Sequence, residues 1–355
     1  MSKKLLNYFY YILITIGLVY LLIAIILIYI GPITTLRVKH KLKHNPVDIV
    51  VSLTTTPYRI DTIKPVLDGI ARQSIKPTRV YVNVPWRFKR DDTEYVIPAW
   101  LKAYPNIIIN RTKDYGPATK LIATLEKEHD PKTIIITMDD DQVYPRYAVR
   151  DLVKQYLFDD YSENAAITGW GLNFIFFQDN DMYYRPVTLG NENSLIVIGT
   201  SVVAYKREFF KDDIFLLTDN LPKSCFLSDD LMISAYLLVN KINIIKASGI
   251  FYNPALIQLR KTLPSSSTSD ALQNGANNSA TGSNETNYVD CLEFLSNNNK
   301  SNYKKAILER SKRMLFISER KMLDMLVAHV YYKYYLPGMI RTIPFLRTII
   351  MKTMG

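Results

Sequence analysis

Lys132-Thr133-Ile134-Ile135-Ile136-Thr137-Met138-Asp139-Asp140-Asp141 is a short apolar run that ends in three carboxylates. Its β-branched composition and its length predict a strand buried on both faces, as in a parallel sheet. The same pattern recurs on both sides of it. Upstream, Val47–Leu53 (VDIVVSL), Thr78–Pro85 (TRVYVNVP) and Asn106–Arg111 (NIIINR) read as strands. Asp61–Arg72 and Ala118–Lys127 between them have helical spacing, the second entered through Gly116-Pro117. Downstream, Ser194–Phe210 reads as a strand or strand pair, Ser228–Lys241 as a helix with an acidic start, and Ile242–Tyr252 as a further strand. Strands alternating with helices predict an α/β domain with a mostly parallel sheet. Ligands of such sheets bind beyond the carboxyl ends of the strands, where Asp139–Asp141 stand.

Three adjacent carboxylates at a fixed strand end repel one another, and a cation relieves that repulsion. Oxygen ligands without His or Cys suit Mg²⁺ or Mn²⁺. A second acidic pair, Asp229-Asp230, opens the helix predicted after Ser228, its expected N-cap. A carboxylate there can serve as general base. A third cluster, Asp114-Tyr115-Gly116-Pro117-Ala118-Thr119-Lys120, leaves backbone N–H groups at a helix start, and Lys120 can reach a phosphate or neutralise a carboxylate.

Composition narrows the class. Of 355 residues 48% are hydrophobic and 22% charged, which is globular material. Two cysteines, Cys225 and Cys291, cannot build a disulfide framework or a multi-cysteine zinc site, and His40, His44, His129 and His329 are read as scattered. Residues 1–46 carry six positive charges and no acid, and residues 301–355 carry a net +8, which leaves −3 for residues 47–300 out of the total of +11. A nucleic-acid binder needs the basic face on the folded domain, so nucleic acid is not an expected partner. Basic flanks beside apolar segments fit membrane lipids instead.

Leu5–Ile30 contains no charged residue and is long enough to cross a hydrocarbon core of ~30 Å as an uncleaved helix. The expected localisation is a membrane, with a single N-terminal span. The positive-inside rule leans towards a cytoplasmic domain, whereas the N-x-S/T sequons at Asn110, Asn277, Asn284 and Asn299 point the other way. The expected organisation is a tail (1–4), a transmembrane anchor (5–30), a basic juxtamembrane stem (31–46), a catalytic domain (47–260), a low-complexity loop (261–288) and a helical basic C-terminal segment (289–355). That last segment is expected at the lipid surface.

Taken in order, TTTPYRI (54–60), NVPWRF (83–88), DYGPATKL (114–121), IIITMDDDQVYP (134–145), IGTSVVAYKREFF (198–210) and LSDDLMISAYL (227–237) resemble a nucleotide-sugar glycosyltransferase of the GT-A type, with family-2-like inverting enzymes the closest likeness. The resemblance covers residues 47–260 and implies a Rossmann-like, mostly parallel mixed sheet with flanking helices. It implies that the DDD triplet acts as the DxD motif. Asp139 and Asp141 would hold a divalent cation, Mn²⁺ or Mg²⁺, and Asp140 would lie at the donor. Asp230 would be the general base, with Asp229 beside it. Thr54, Arg59, Asp114 and Lys120 would line the donor pocket, and Gly199 with Gly169–Gly171 would lie near sugar and acceptor. The implied partners are a nucleotide-sugar donor, UDP-sugar favoured, and a glycan, protein or lipid-linked acceptor. The alternatives are a haloacid-dehalogenase-like phosphatase, whose nucleophile motif Asp139–Val143 also fits, and a non-catalytic membrane-anchored interaction protein.

Overall fold

The computed structural model describes residues 31–298 apart from 177–181, 188–192, 195, 200–201, 220, 249–260 and 268–283, together with Tyr11, Ile14, Thr15, Gly17 and Leu18. Its centre is a seven-stranded sheet of β1 (Ile49–Thr54), β2 (Arg79–Pro85), β3 (Ile108–Thr112), β4 (Ile134–Thr137), β5 (Ala165–Thr168), β6 (Val203–Lys206) and β7 (Asn243–Lys246), in the spatial order β7-β5-β6-β4-β1-β2-β3. β4, β1, β2 and β3 are parallel neighbours. β6 runs antiparallel to both β4 and β5, and β7 is parallel to β5. The sheet is therefore mixed and mostly parallel, as the alternating pattern predicts.

Successive residues of each strand serve opposite faces. Val51, Ile134 and Ile136 pack with α2 (Lys64–Ala71) and α4 (Ala148–Phe158) on one side. Val50 and Ile135 pack with α3 (Thr119–Leu125) and α5 (Asp229–Val239) on the other. Covering both faces explains why the strands are apolar throughout rather than alternating.

Ser194–Phe210 divides between two sheets. Ile196–Val197 joins Gly171–Phe176 and Met182–Val187 in a small antiparallel sheet, and Val203–Lys206 is β6. Between them Val202 adopts φ 76°, a conformation that a β-branched residue rarely takes. The chain turns there, beside Gly199.

The segment expected to be a juxtamembrane stem is a helix, α1 (31–44), packed on the domain. Gly31, Thr35, Val38 and Leu42 recur at helical spacing; the first three are buried, and Val38 and Leu42 belong to the core on the α4 side. Gly31 carbonyl accepts from Arg150 Nη1 at 2.7 Å, and a Cβ on Gly31 would lie 2.8 Å from the Tyr147 ring. Arg37 sits over the Phe158 ring, 4.4 Å from its centroid. α1 also brings two histidines that were read as scattered onto one face: the His40 and His44 rings are 4.6 Å apart.

One further expectation needs correction. The loop expected at 261–288 contains Lys261–Thr262, paired with Gln142–Val143, and the start of helix α6 (Asn284–Asn298). The two cysteines, too few for a disulfide framework, make a single bridge, Cys225–Cys291, between the short helix Lys223–Phe226 and α6. Reducing it opens a loop of 66 residues and is expected to cost about 4 kcal/mol on a loop-entropy account. Urea unfolding of wild type with and without reductant, beside Cys225→Ser/Cys291→Ser, measures this; an unchanged midpoint would refute it.

The predicted anchor lies outside the described residues except at five positions. Tyr11, Ile14, Thr15, Gly17 and Leu18 are helical, with Tyr11, Ile14 and Leu18 exposed. Among the described residues no helix is long and apolar enough to cross a membrane. The basic segment 301–355 lies outside the described residues.

Candidate active site at the carboxyl edge of the sheet

Asp139–Asp141 follow β4 after Met138, and α5 begins with Asp229 and Asp230. Asp229 and Asp230 lie in the first turn as predicted, but Ser228 makes no side-chain cap bond. The two acidic groups are 88 residues apart from Asp141 to Asp229, yet one ammonium joins them. Lys120 Nζ lies 2.9 Å from Asp139 Oδ1 and 3.4 Å from Asp229 Oδ2. Gly199 N–H donates to Asp230 Oδ1 at 2.9 Å. A Cβ on Gly199 would stand 2.5 Å from Lys120 Nζ and 3.1 Å from Asp230 Oδ1, so the close approach of this backbone depends on glycine.

A second cation serves the other side of the triplet. Arg59 Nη1 is 3.0 Å from Asp140 Oδ1 and 3.5 Å from Asp141 Oδ2. Thr55 hydroxyl donates to Asp140 Oδ2 at 2.6 Å, and Tyr144 hydroxyl accepts from the Asp139 N–H at 2.9 Å. Asp140 is thus held in the wall, while Asp139 and Asp141 keep 20% and 18% of their side-chain surface open.

Lys120 is held in place from below. Its carbonyl accepts from the Ser52 hydroxyl, and Asn83 Nδ2 donates to Ser52 Oγ at 2.8 Å and to Thr124 Oγ1 at 3.0 Å. Asn110 Nδ2 donates to Asn83 Oδ1 at 2.8 Å. This buried polar ladder crosses β1, β2, β3 and α3 and is satisfied link by link, as buried polar groups must be. It also removes Asn110 from consideration as a glycosylation acceptor, since that side chain is buried and engaged.

The electrostatics follow from burial and crowding. Burial pushes Asp140 up. Burial, then the Asp139 and Asp140 charges, push Asp141 to about 7 against the opposing Arg59 and Lys120. Burial and Asp229 raise Asp230 well above the carboxylate range, opposed by Lys120 and the Gly199 N–H. Burial alone would discharge Lys120, but Asp139, Asp229 and Asp230 reverse this and hold it as ammonium.

Two predicted donor residues stand apart from this cluster. Thr54 hydroxyl donates to the Asn83 carbonyl at 2.9 Å. Asp114 accepts from Gly116 N–H and Lys89 N–H, both at 2.7 Å, and so braces the turn into α3. That turn needs Gly116, whose φ is +65° and whose Cβ would lie 2.5 Å from the Phe226 carbonyl. Sequence reading missed Tyr144 and the ladder residues Ser52, Asn83 and Thr124. The only signal for the ladder was polar residues inside otherwise apolar strands.

Two buried oxygens, Asp141 Oδ1 and Asp229 Oδ2, make no hydrogen bond. Asp229 Oδ2 still faces Lys120 Nζ at 3.4 Å, but Asp141 Oδ1 belongs to a carboxyl crowded by the Asp139 and Asp140 charges, and an orphaned oxygen there suits a hard cation. Among the described residues no three acidic, His or Cys groups gather into a metal cage. The donor set therefore fits Mg²⁺ or Mn²⁺ held by one or two carboxylates together with substrate phosphates, rather than by protein alone. The haloacid-dehalogenase alternative expects its nucleophile on the first core strand and its later acidic pair at a strand end. Here the triplet follows the fourth strand, and the pair lies in the first turn of a helix.

No family model matches the chain, and no curated protein matches its sequence. Several solved structures align with it at low identity. The crystal structure of S. aureus TarS 1-349 aligns at 15% identity and TM-score 0.37, covering 57% of this chain and 58% of that one. The mannosyltransferase PcManGT of Pyrobaculum calidifontis, solved with GDP-Man and Mn²⁺, aligns at 15% identity and TM-score 0.36, covering 93% of this chain and 96% of that one. The 4-diphosphocytidyl-2C-methyl-D-erythritol synthase of Anaerococcus prevotii aligns at 14% identity and TM-score 0.35, covering 59% and 90%. The chain thus spans little more than half of the TarS fragment it matches. Its structural neighbours are glycosyltransferases and a nucleotidyltransferase-type enzyme.

Proposed function

We propose that the protein is a membrane-anchored glycosyltransferase that moves a sugar from a nucleotide-sugar donor, UDP-sugar favoured, to an acceptor hydroxyl, with inversion and with a divalent cation. One observation carries this reading: the strand-end triplet and the helix-start pair, remote in sequence, meet across Lys120 at the carboxyl edge of the sheet. Such an edge is where an α/β sheet binds its ligand.

Each half suits one end of the reaction. On the donor side Asp139 and Asp141 would hold Mn²⁺ or Mg²⁺; when bound, the cation neutralises the diphosphate leaving group. Arg59 keeps Asp140 and Asp141 in position and adds positive charge at the same edge. On the acceptor side Asp230 takes the hydroxyl proton as that oxygen attacks the anomeric carbon and the sugar–phosphate bond breaks. Its carboxylate is oriented for this by the Gly199 N–H. Attack opposite the leaving group inverts the anomeric centre. Lys120 neutralises Asp139 and Asp229 and leaves Asp230 to act as base.

A thermal-shift panel of UDP-, GDP- and CDP-sugars with and without Mn²⁺ tests the donor half. A ligand at 100 times its Kd stabilises the native state by about 2.7 kcal/mol. Asp141→Asn is expected to abolish the Mn²⁺-dependent part of that shift, because a neutral amide is a poor ligand for a hard cation. Its melting temperature without ligand should hold or rise, since the substitution relieves carboxylate repulsion. No Mn²⁺-dependent response in wild type to any of the sugars would refute the donor assignment.

A further inference from the structure

α1 has two faces, and only one is spoken for. Gly31, Thr35, Val38 and Leu42 meet the domain. On the opposite side Ile33 and Leu36 are 63% and 67% exposed, and Lys39, His40, Lys43 and His44 are exposed too. Ile33, Leu36 and His40 recur at three- and four-residue spacing, so the outward stripe begins apolar and turns basic along the helix. Residues 31–46 contain no acid to balance it. In sequence the uncharged stretch Leu5–Ile30 directly precedes Gly31.

The helix is also placed with respect to the site. Gly31 contacts Arg150 and Tyr147, at the start of α4, and Arg37 reaches Phe158 at its end. α1 therefore runs alongside α4 in the same direction. α4 starts just beyond the Asp139–Asp141 edge, since only residues 142–147 intervene. Gly31, the first described residue of α1 and the next in sequence after the apolar stretch, accordingly lies at the substrate edge of the sheet and not at its far edge.

We propose that the outward face of α1 is a lipid-docking surface: Ile33 and Leu36 insert at the interface of a bilayer, with Lys39 and Lys43 towards its anionic headgroups. Apolar residues beside lysines on one helix face fit such a boundary. Because α1 is packed on the core rather than tethered to it, this contact sets the orientation of the whole domain. The Asp139–Asp141 edge is held next to the membrane, which selects a lipid-linked or membrane-proximal acceptor; that last step rests on the transferase reading above, whereas the lipid contact does not.

The test uses the full chain in vesicles. An environment-sensitive fluorophore is placed on Ile33→Cys, Leu36→Cys and, for comparison, Leu216→Cys, which is 74% exposed on a helix packed to the opposite face of the sheet. Vesicles carry lipid-borne quenchers, with or without phosphatidylglycerol. Labels at 33 and 36 should be quenched several-fold more than the label at 216, and more strongly with the anionic lipid. Lys39→Gln/Lys43→Gln should remove the anionic preference. Quenching at 33 and 36 no greater than at 216 would overturn the proposal. So would protection of these labels that rises with protein concentration in lipid-free detergent, which would assign the face to a second copy of the chain. Sugar transfer is not read, so a failed transferase assignment leaves this result interpretable.

Discussion

Asp230→Asn is expected to leave nucleotide-sugar binding near wild type and to slow transfer by about 10²–10⁴-fold, the usual worth of a general base. The amide keeps the shape of the carboxylate and can still accept from the Gly199 N–H. It loses the ability to take a proton. Burial and Asp229 push the Asp230 carboxyl well above its usual range. The sign of the pH dependence follows. The base acts only when deprotonated, so wild-type transfer should fall as pH drops through the raised pKa, and the variant should lose that limb. Single-turnover transfer at matched donor occupancy separates the two steps. If Asp230→Asn lost donor binding as completely as Asp141→Asn, the division of labour between the two acidic groups would be wrong.

Lys120→Met should cost about 3–5 kcal/mol of stability together with most of the activity. Removing one partner of a buried ion pair strands the other, and that is the costly way to break it. Here the stranded groups are Asp139 and Asp229, with Asp230 beside them. The loss should be larger at pH 8 than at pH 5. Without the ammonium Asp230 and Asp141, whose upward shifts Lys120 opposes, bind protons more tightly, and a protonated carboxyl pays no penalty for its missing partner. Urea unfolding at the two pH values measures this. A loss that did not depend on pH would mean that Lys120 acts by packing alone. A midpoint unchanged at pH 8 would mean that it is not buried among these carboxylates.

The local pattern carried much of the fold. Val47–Leu53, Thr78–Pro85, Asn106–Arg111 and Lys132–Met138 each yielded a strand, because a strand covered on both faces must be apolar along its length. Helix positions were legible from the helical spacing of their apolar residues, although α2 and α3 are shorter than predicted, each preceded by a 3₁₀ turn. Ser194–Phe210 was ambiguous because a short apolar run does not record which sheet it joins. The stem was misread because basic residues at 37, 39, 41 and 43 masked the Gly31/Thr35/Val38/Leu42 stripe. His40 and His44 were missed for the same reason: their spacing of four places them together only on a helix.

The candidate site divides in the same way. Sequence alone determined the chemistry on offer: which positions carry carboxylates, that Asp139–Asp141 end an apolar strand, that Asp229-Asp230 begin a helix, and that neither group has thiols or imidazoles beside it. Those are properties of neighbours along the chain. Tertiary structure alone decided that Lys120 stands between the two groups, that the Gly199 backbone comes within hydrogen-bond reach of Asp230, and that Arg59 faces Asp140 and Asp141 while Asp114 faces its own turn. It also decided that Cys225 meets Cys291 and that α1 is docked. The reason is physical. Propensity and periodicity act over a turn or a strand, whereas an ion pair between residues 19 or 109 apart forms only after the sheet has brought its carboxyl edge together.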